Sequence, residues 1–217
     1  MTEGELSELL AHCPSLFHVA AEGAWPAIAR HGLWSSTALL ARAGLDGSDL
    51  PRRDPRVIEV AAGWTAMLRD QRPMDVIRLS RCVTGATPAE WVRLLNGRVF
   101  FWLTAARRDR LLGAGLNRGI GHDVLELDAA ALIAAYRKRI ALCPINSGAT
   151  IPFGTRRSPD SLRPIATYDY AHWRARRPRG EAAVELSVAD GIADIATFVR
   201  RVVRFQGMRP GPVLFER

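Results

Sequence analysis

Short apolar runs alternate along this chain with short stretches that carry helix start and stop signals, and that alternation restricts the fold more than any other feature. Runs at residues 15–20 (SLFHVA), 98–103 (RVFFWL), 122–127 (HDVLEL), 139–143 (RIALC) and 182–188 (AAVELSV), with a basic one near 200–205, have strand composition. Between them lie helix signals. Thr2 and Glu5 form a capping box opening a helix to about His12, and Gly32 stands where a helix over Trp25–His31 would stop. Ser35 or Ser36 caps a further helix ending near Gly44, and Thr87-Pro88-Ala89-Glu90 starts one that runs to Asn96-Gly97. Thr104 caps a basic helix over 105–113 bearing Arg107, Arg108 and Arg110, and Asp128 caps one over 129–137.

The remaining segments read less sharply. Residues 45–56 are a polar, Pro-containing connection; 57–60 have strand composition, 67–68 fit either state, and 74–83 are assigned to helix. A long segment over 151–180, dense in Arg and Pro, reads as irregular, and a helix is expected near 193–199. Short helices among six or seven short strands predict an α+β sheet protein, spaced too irregularly for a doubly wound sheet. No internal repeat or low-complexity tract interrupts residues 1–217, so one domain is expected.

The chain has 217 residues, of which 48% are hydrophobic and 24% charged, the balance of an ordinary globular protein rather than a disordered one. No apolar run approaches the roughly 20 residues needed to span a bilayer. The N-terminal MTEGELSELLAH has neither the basic start nor the apolar core of a secretory signal, so a cytoplasmic location without membrane association is expected. Cys13, Cys82 and Cys143 have no disulfide or zinc-finger spacing and read as buried or half-buried thiols. The net charge is +8 and Lys138 is the only lysine among 30 basic residues. Arginine's planar fork suits phosphates and stacks on bases, whereas a coding bias toward Arg would give the same composition without a ligand.

Common catalytic signatures are missing: no GxGxxG, GxxxxGK[ST], GxSxG or HExxH occurs, and the five histidines share no metal-ligand spacing, so no metal is expected. His18 and His122 sit on strand positions among apolar neighbours, where a buried ring must find polar partners.

Leu16-Phe17-His18-Val19, Trp25-Pro26-Ala27-Ile28 and His31-Gly32-Leu33 resemble the opening of ADP-ribosyltransferase-fold domains, among them the DarT-like DNA-modifying toxins and the RNA 2′-phosphotransferases. Ala183-Val184-Glu185-Leu186-Ser187-Val188, followed by Ile192 and Ile195, resembles the late strand that carries the catalytic Glu of the DarT-like enzymes. The whole stretch from about residue 16 to 200, with its RVFFWL, HDVL, PINSGAT and VEL motifs, is similar to an uncharacterised bacterial family.

The resemblance implies an α+β fold with a split, mixed or antiparallel sheet and peripheral helices, and an NAD-dependent enzyme that transfers ADP-ribose to a nucleic acid or nucleotide. A nucleotide- or nucleic-acid-binding module without catalysis and an RNA 2′-phosphotransferase are the alternatives. Cleaving the nicotinamide–ribose bond passes through an oxocarbenium-like sugar, which a fixed carboxylate stabilises. Glu185 is then the catalytic carboxylate and His18 a catalytic and NAD-anchoring ring. Phe101 or Trp102 forms a stacking wall, and Arg72, Arg78 or Arg157 meets the pyrophosphate. Asn146, with Ser147 and Thr150, lies in a loop able to present backbone N–H groups to phosphate. Glu181, on the same face of an extended strand as Glu185, is the rival carboxylate, and the basic run 174–179 (RARRPR) is either a solvated loop or a nucleic-acid contact. Ala183 stands where arginine-modifying relatives carry Glu, which argues against a protein arginine as acceptor.

Overall fold

A computed structural model describes residues 1–47, 55–68, 76–115, 117–149 and 155–217. In chain order its elements are α1 (Glu3–His12), β1 (Ser15–Ala21), α2 (Trp25–His31), β2 (Leu33–Trp34), α3 (Ser36–Arg42), β3 (Arg56–Ala61) and β4 (Trp64–Leu68). There follow α4 (Val76–Cys82), α5 (Pro88–Asn96), β5 (Arg98–Trp102), α6 (Ala105–Leu112), β6 (Gly121–Asp128), α7 (Ala129–Tyr136) and β7 (Ile140–Cys143). The last are β8 (Arg163–Pro164), α8 (Tyr170–Arg174), β9 (Glu185–Ala189), β10 (Gly191–Ile192), β11 (Val199–Gln206) and β12 (Arg209–Glu216).

The local signals explain most of these boundaries. Thr2 and Thr87 both close reciprocal capping boxes, with Glu5 and Glu90, and Ser35, Thr104 and Asp128 each accept a backbone N–H in the first turn of the helix they precede. Residues 67–68 belong to a strand, paired in the β3–β4 hairpin. The expected helix near 193–199 is only a 3₁₀ turn at Ile195–Thr197. Asp194 at its start makes no side-chain cap, and Thr197, Phe198 and Val199 are β-branched or aromatic, so the chain passes directly into β11. β12 went unforeseen because Pro210, Gly211 and Pro212 argue against a central strand; it lies at the edge of the sheet, where a missing N–H faces outward. The 151–180 segment, where described, carries α8, β8 and two 3₁₀ turns rather than being irregular throughout.

Eight strands form one antiparallel sheet in the order β12-β11-β6-β1-β5-β9-β7-β8. The protein is thus α+β with a large antiparallel sheet, more strands than the sequence suggests, and helices on both faces. One face packs Leu16, Leu125, Leu127, Val99, Phe101, Leu186 and Val188 against α1, α2, α7 and α8. On the other, Phe100, Ala141 and Cys143 meet α4 and α5, while Val19, Val124 and Phe205 meet Leu112 of α6. α3 and the β3–β4 hairpin form a satellite cluster around Leu40 and Leu68. The short β2–β10 pair ties the end of β9 back to α2, and Gly191, with φ of 154°, lies so near Trp34 that a Cβ would stand 2.5 Å from its ring.

Fully buried Asp123 on β6 joins three elements. Its carboxylate accepts the Trp25 N–H at the start of α2 at 3.0 Å and the Arg204 Nε–H from β11 at 2.6 Å. The α2 N-cap residue, Ala24, has no side-chain acceptor, so this distant carboxylate takes the capping role. Replacing it with alanine strips α2 of its cap and leaves the half-buried Arg204 with only Glu22. Asp123→Ala is expected to destabilise the fold by about 3 kcal/mol, lowering Tm by roughly 6–12 °C in thermal denaturation. An unchanged Tm would show that the contact contributes nothing.

Candidate functional site

β9 lies between β5 and β7, so both its flanks are hydrogen-bonded, and it is buried from Glu185 through Val188. Alternation sends Leu186 and Val188 to the large core and Glu185 and Ser187 to the opposite face. Ser187 is satisfied by Arg98, whose Nε–H donates to its hydroxyl at 2.8 Å. Glu185, 4% exposed, is covered by the loop that follows β7. That loop starts at Pro144, turns between Asn146 and Ala149, and points the Ser147 N–H at the Glu185 carboxylate at 3.0 Å. Burial pushes the Glu185 carboxyl up to about 7, against the Ser147 hydrogen bonds and the Arg157 and Arg107 charges, which favour its ionised form. Its neighbour across β7, Cys143, is a fully buried thiol that burial and the Glu185 charge push up to about 12. Cys13, Cys82 and Cys143 are all free and buried, as the sequence suggests.

Arg157, 2% exposed, stands beside the loop. Its backbone is clamped to the end of α4: its N–H donates to the Cys82 carbonyl at 2.9 Å and its carbonyl accepts from Thr84 at 2.9 Å. The guanidinium donates to the carbonyls of Ser147, at 3.3 Å, and Thr155, at 3.4 Å. These bonds are long, and no ion pair to a carboxylate of the described residues accompanies them. Burial weakens the hold of Arg157 on its proton, and Cys82, Cys143 and Glu185 nearby partly restore it.

A cavity of about 300 Å³ lies beside this pair, walled by Arg157 but not by Glu185, together with Arg107, Asn146, Arg177, Glu181 and Val184 among others. Arg107 comes from the first turn of α6 and pairs with Glu181. Arg177 follows α8, lies 4.6 Å from the Trp173 ring and donates to the Pro144 carbonyl. Three guanidinium groups therefore surround one opening beside a buried acid.

Of the residues singled out in the sequence, Glu185, Arg157 and Asn146 lie here as neighbours, with Glu181 on the rim. The site also includes Arg107, to which the sequence assigns no role, and Arg177, from the 174–179 run read as a solvated loop or a nucleic-acid contact; the strand order β1-β5-β9-β7 brings α6 and that run together. Most of that run is otherwise engaged: Arg174 pairs with Glu8 at 2.5 Å and Arg176 donates to the His172 carbonyl at 3.0 Å.

The expected convergence of His18 with Glu185 does not occur. Phe17 pairs with Trp102 and Trp102 with Glu185, which places Phe17, Trp102 and Glu185 on one face. His18, one residue on, lies on the other face opposite Leu125, with its ring 5.6 Å from that of Phe101. Its Nδ1 lies 2.9 Å from the Phe100 carbonyl, so the ring bridges β1 to β5. Phe101 is a core residue on the His18 face, not a wall of the cavity; Trp102 is half-buried on the Glu185 face, one strand away. Arg78 is exposed on α4 and does not line the cavity. Arg72 and Thr150 lie outside the described residues. Glu185 itself does not line the cavity, since the loop at 144–149 covers its carboxylate.

A carboxyl whose proton is held more tightly in the folded than in the unfolded chain stabilises the fold at low pH. That contribution is lost as pH rises from its unfolded value, near 4.5, through about 7. Ionising Glu185 in place is worth roughly 3 kcal/mol against folding. Glu185→Gln is therefore expected to flatten the loss of stability between pH 5 and 8 in denaturant titrations, and to be more stable than the unsubstituted protein at pH 8. A substituted protein that is less stable at pH 8 would overturn this account of the buried acid.

Among the described residues no helix is long and apolar enough to cross a membrane. No curated protein and no solved structure matches the chain. The model of one family does match, over residues 14–199, which span β1, the Glu185 strand and every wall of the cavity. The chain belongs to that family, DUF7002, a family of unknown function.

Proposed function

We propose that the cavity beside Glu185 takes a phosphate-bearing nucleotide, that NAD is that nucleotide, and that the chain transfers ADP-ribose from it to a nucleic acid or nucleotide. The observation that carries the reading is the pairing of a buried arginine with a buried carboxylate through the backbone of one residue. Ser147 gives its N–H to Glu185 and its carbonyl to Arg157. A guanidinium that, among the described residues, is held by long bonds to carbonyls, with Arg107 and Arg177 beside it, suits a polyanion that completes its hydrogen bonding.

In the proposed reaction the bond between C1′ of the ribose and the nicotinamide nitrogen breaks, and its electron pair leaves with nicotinamide. The acceptor forms the new bond to C1′ and gives up a proton to solvent. Glu185 contributes negative charge to the carbon that turns cationic from beneath the 144–149 loop, which already excludes water from the carboxylate. His18 has no part in this step; it bridges β1 to β5 from the opposite face.

Incubation with NAD is expected to release nicotinamide, with Glu185→Gln slower by about 100-fold or more. Only the ionised carboxylate steadies a cation, so the rate rises with pH through about 7. Nicotinamide release that is absent with several nucleic-acid and nucleotide acceptors, or that persists unchanged in Glu185→Gln, rejects the transferase reading. The placement of His18 away from the cavity favours a second reading, in which the same pocket binds a phosphate ligand without chemistry. NAD or nucleic-acid binding that weakens steeply with salt, with the ligand recovered intact, distinguishes it.

A further inference from the structure

A second cavity, of about 350 Å³, opens on the same face of the sheet as Glu185, walled by Arg108, Val124, Glu126, Arg201, Val203 and Phe205 among others. The strand registers connect the two cavities. Glu185, Trp102, Phe17, Glu126 and Arg201 are successive partners on β9, β5, β1, β6 and β11, one line on one face. At ~4.8 Å between strands that line is about 19 Å long. α6 lies along it, and its consecutive residues Arg107 and Arg108 wall the first and the second cavity respectively.

The second cavity has a different character from the first. Its floor is apolar, from Val124, Val203 and Phe205. The Arg108 guanidinium lies 4.8 Å from the Phe17 ring centre and 5.3 Å from that of Phe205, and it pairs with Asp109 at 2.7 Å. A flat cation already neutralised by a carboxylate and set among phenyl rings offers stacking surface more than charge. Glu126 accepts from the Ser15 hydroxyl at 2.7 Å through one oxygen, and a carboxylate can accept through both. Arg201 shares its charge with Glu216 at 3.4 Å. A carboxylate in the wall disfavours a bare anion, and three charged side chains around the opening disfavour an alkyl chain. A flat heteroaromatic ring with an N–H donor fits all three features.

We propose that this second cavity is a nucleobase subsite, and that a single elongated ligand lies along the line of registered residues. Its phosphates sit among Arg107, Arg157 and Arg177, and its base, carrying an exocyclic amine, stacks beside Arg108 and Phe205 and donates to Glu126. The inference rests on the phosphate reading of the first cavity and adds the recognition of the base.

Calorimetric titration with inorganic pyrophosphate and with ADP-ribose separates the two claims, using the unsubstituted protein, Glu126→Gln and Val203→Trp. Gln keeps an acceptor for Ser15 but loses the charge, and Trp fills the cavity from a half-buried position. ADP-ribose is expected to bind at least tenfold more tightly than pyrophosphate. Both substitutions should weaken ADP-ribose by about tenfold, the worth of a hydrogen bond to a charged group, and leave pyrophosphate unchanged. Pyrophosphate binding with ADP-ribose no tighter, or with ADP-ribose indifferent to both substitutions, overturns the base subsite while the phosphate site stands. Failure of both ligands to bind the unsubstituted protein removes both.

Discussion

The backbone of Ser147 holds the candidate site together. Its N–H points down at the Glu185 carboxylate and its carbonyl points across at the Arg157 guanidinium. Each of these charged groups is almost wholly buried, and neither would be tolerable there alone: burying a charge without a hydrogen-bonded partner costs several kcal/mol. The loop from Pro144 to Ala149 is thereby fixed over the acid from within, and Arg177 fixes its first residue from outside by donating to the Pro144 carbonyl. Arg157 is in turn anchored to α4 by its own backbone. The roof, the base and the acid form one unit, so a change in any of them is felt by the other two.

The sheet beneath this unit explains why His18 stands apart from it. In an antiparallel sheet directly opposed residues share a face, and a shift of one residue reverses it. With Phe17 opposite Trp102 and Trp102 opposite Glu185, residue 18 must face the large core. There its ring meets Phe101, and Nδ1 reaches the Phe100 carbonyl across the junction of β1 and β5. That junction is the narrowest in the sheet, since Phe17 opposite Trp102 is its register pair, whereas β1 is matched with β6 along its whole length. A polar ring at this point supplies a cross-strand contact where the backbone ladder is short, a structural use for a residue that the sequence alone equally well offers to a ligand.

Periodicity and capping made most of the fold legible. Thr2, Ser35, Thr87, Thr104 and Asp128 each mark a helix start through a side chain acting within one turn, and such local chemistry needs no knowledge of the partner strands. β12 was hidden because its prolines are acceptable only at an edge, and edges are a property of the assembled sheet. The same distinction governs the site. Glu185, Arg157 and Asn146 sit on a strand and on loops that composition already sets apart. Arg107 and Arg177 become neighbours only because β5 and β7 flank β9, an arrangement of strands far apart in sequence that no local pattern encodes. Burial of Glu185 was concealed too: an acid between Val184 and Leu186 reads as the wet side of a strand, and only the Ser147 loop covers it.

The electrostatic balance at Glu185 gives the proposed reading its internal logic. Desolvation holds the carboxyl near 7, while Arg157 and Arg107 pull toward ionisation. An anion seated among the same arginines screens them, so ligand binding by itself favours the neutral acid. A sugar turning cationic at C1′ acts in the opposite sense and favours the carboxylate at the moment when its charge is useful. The acid therefore contributes least in the ground state and most at the transition state, the differential on which rate acceleration depends. A pocket that only held phosphate would be opposed by a carboxylate near its guanidinium groups, whereas under the proposed transfer the same charge meets a positive charge that develops later.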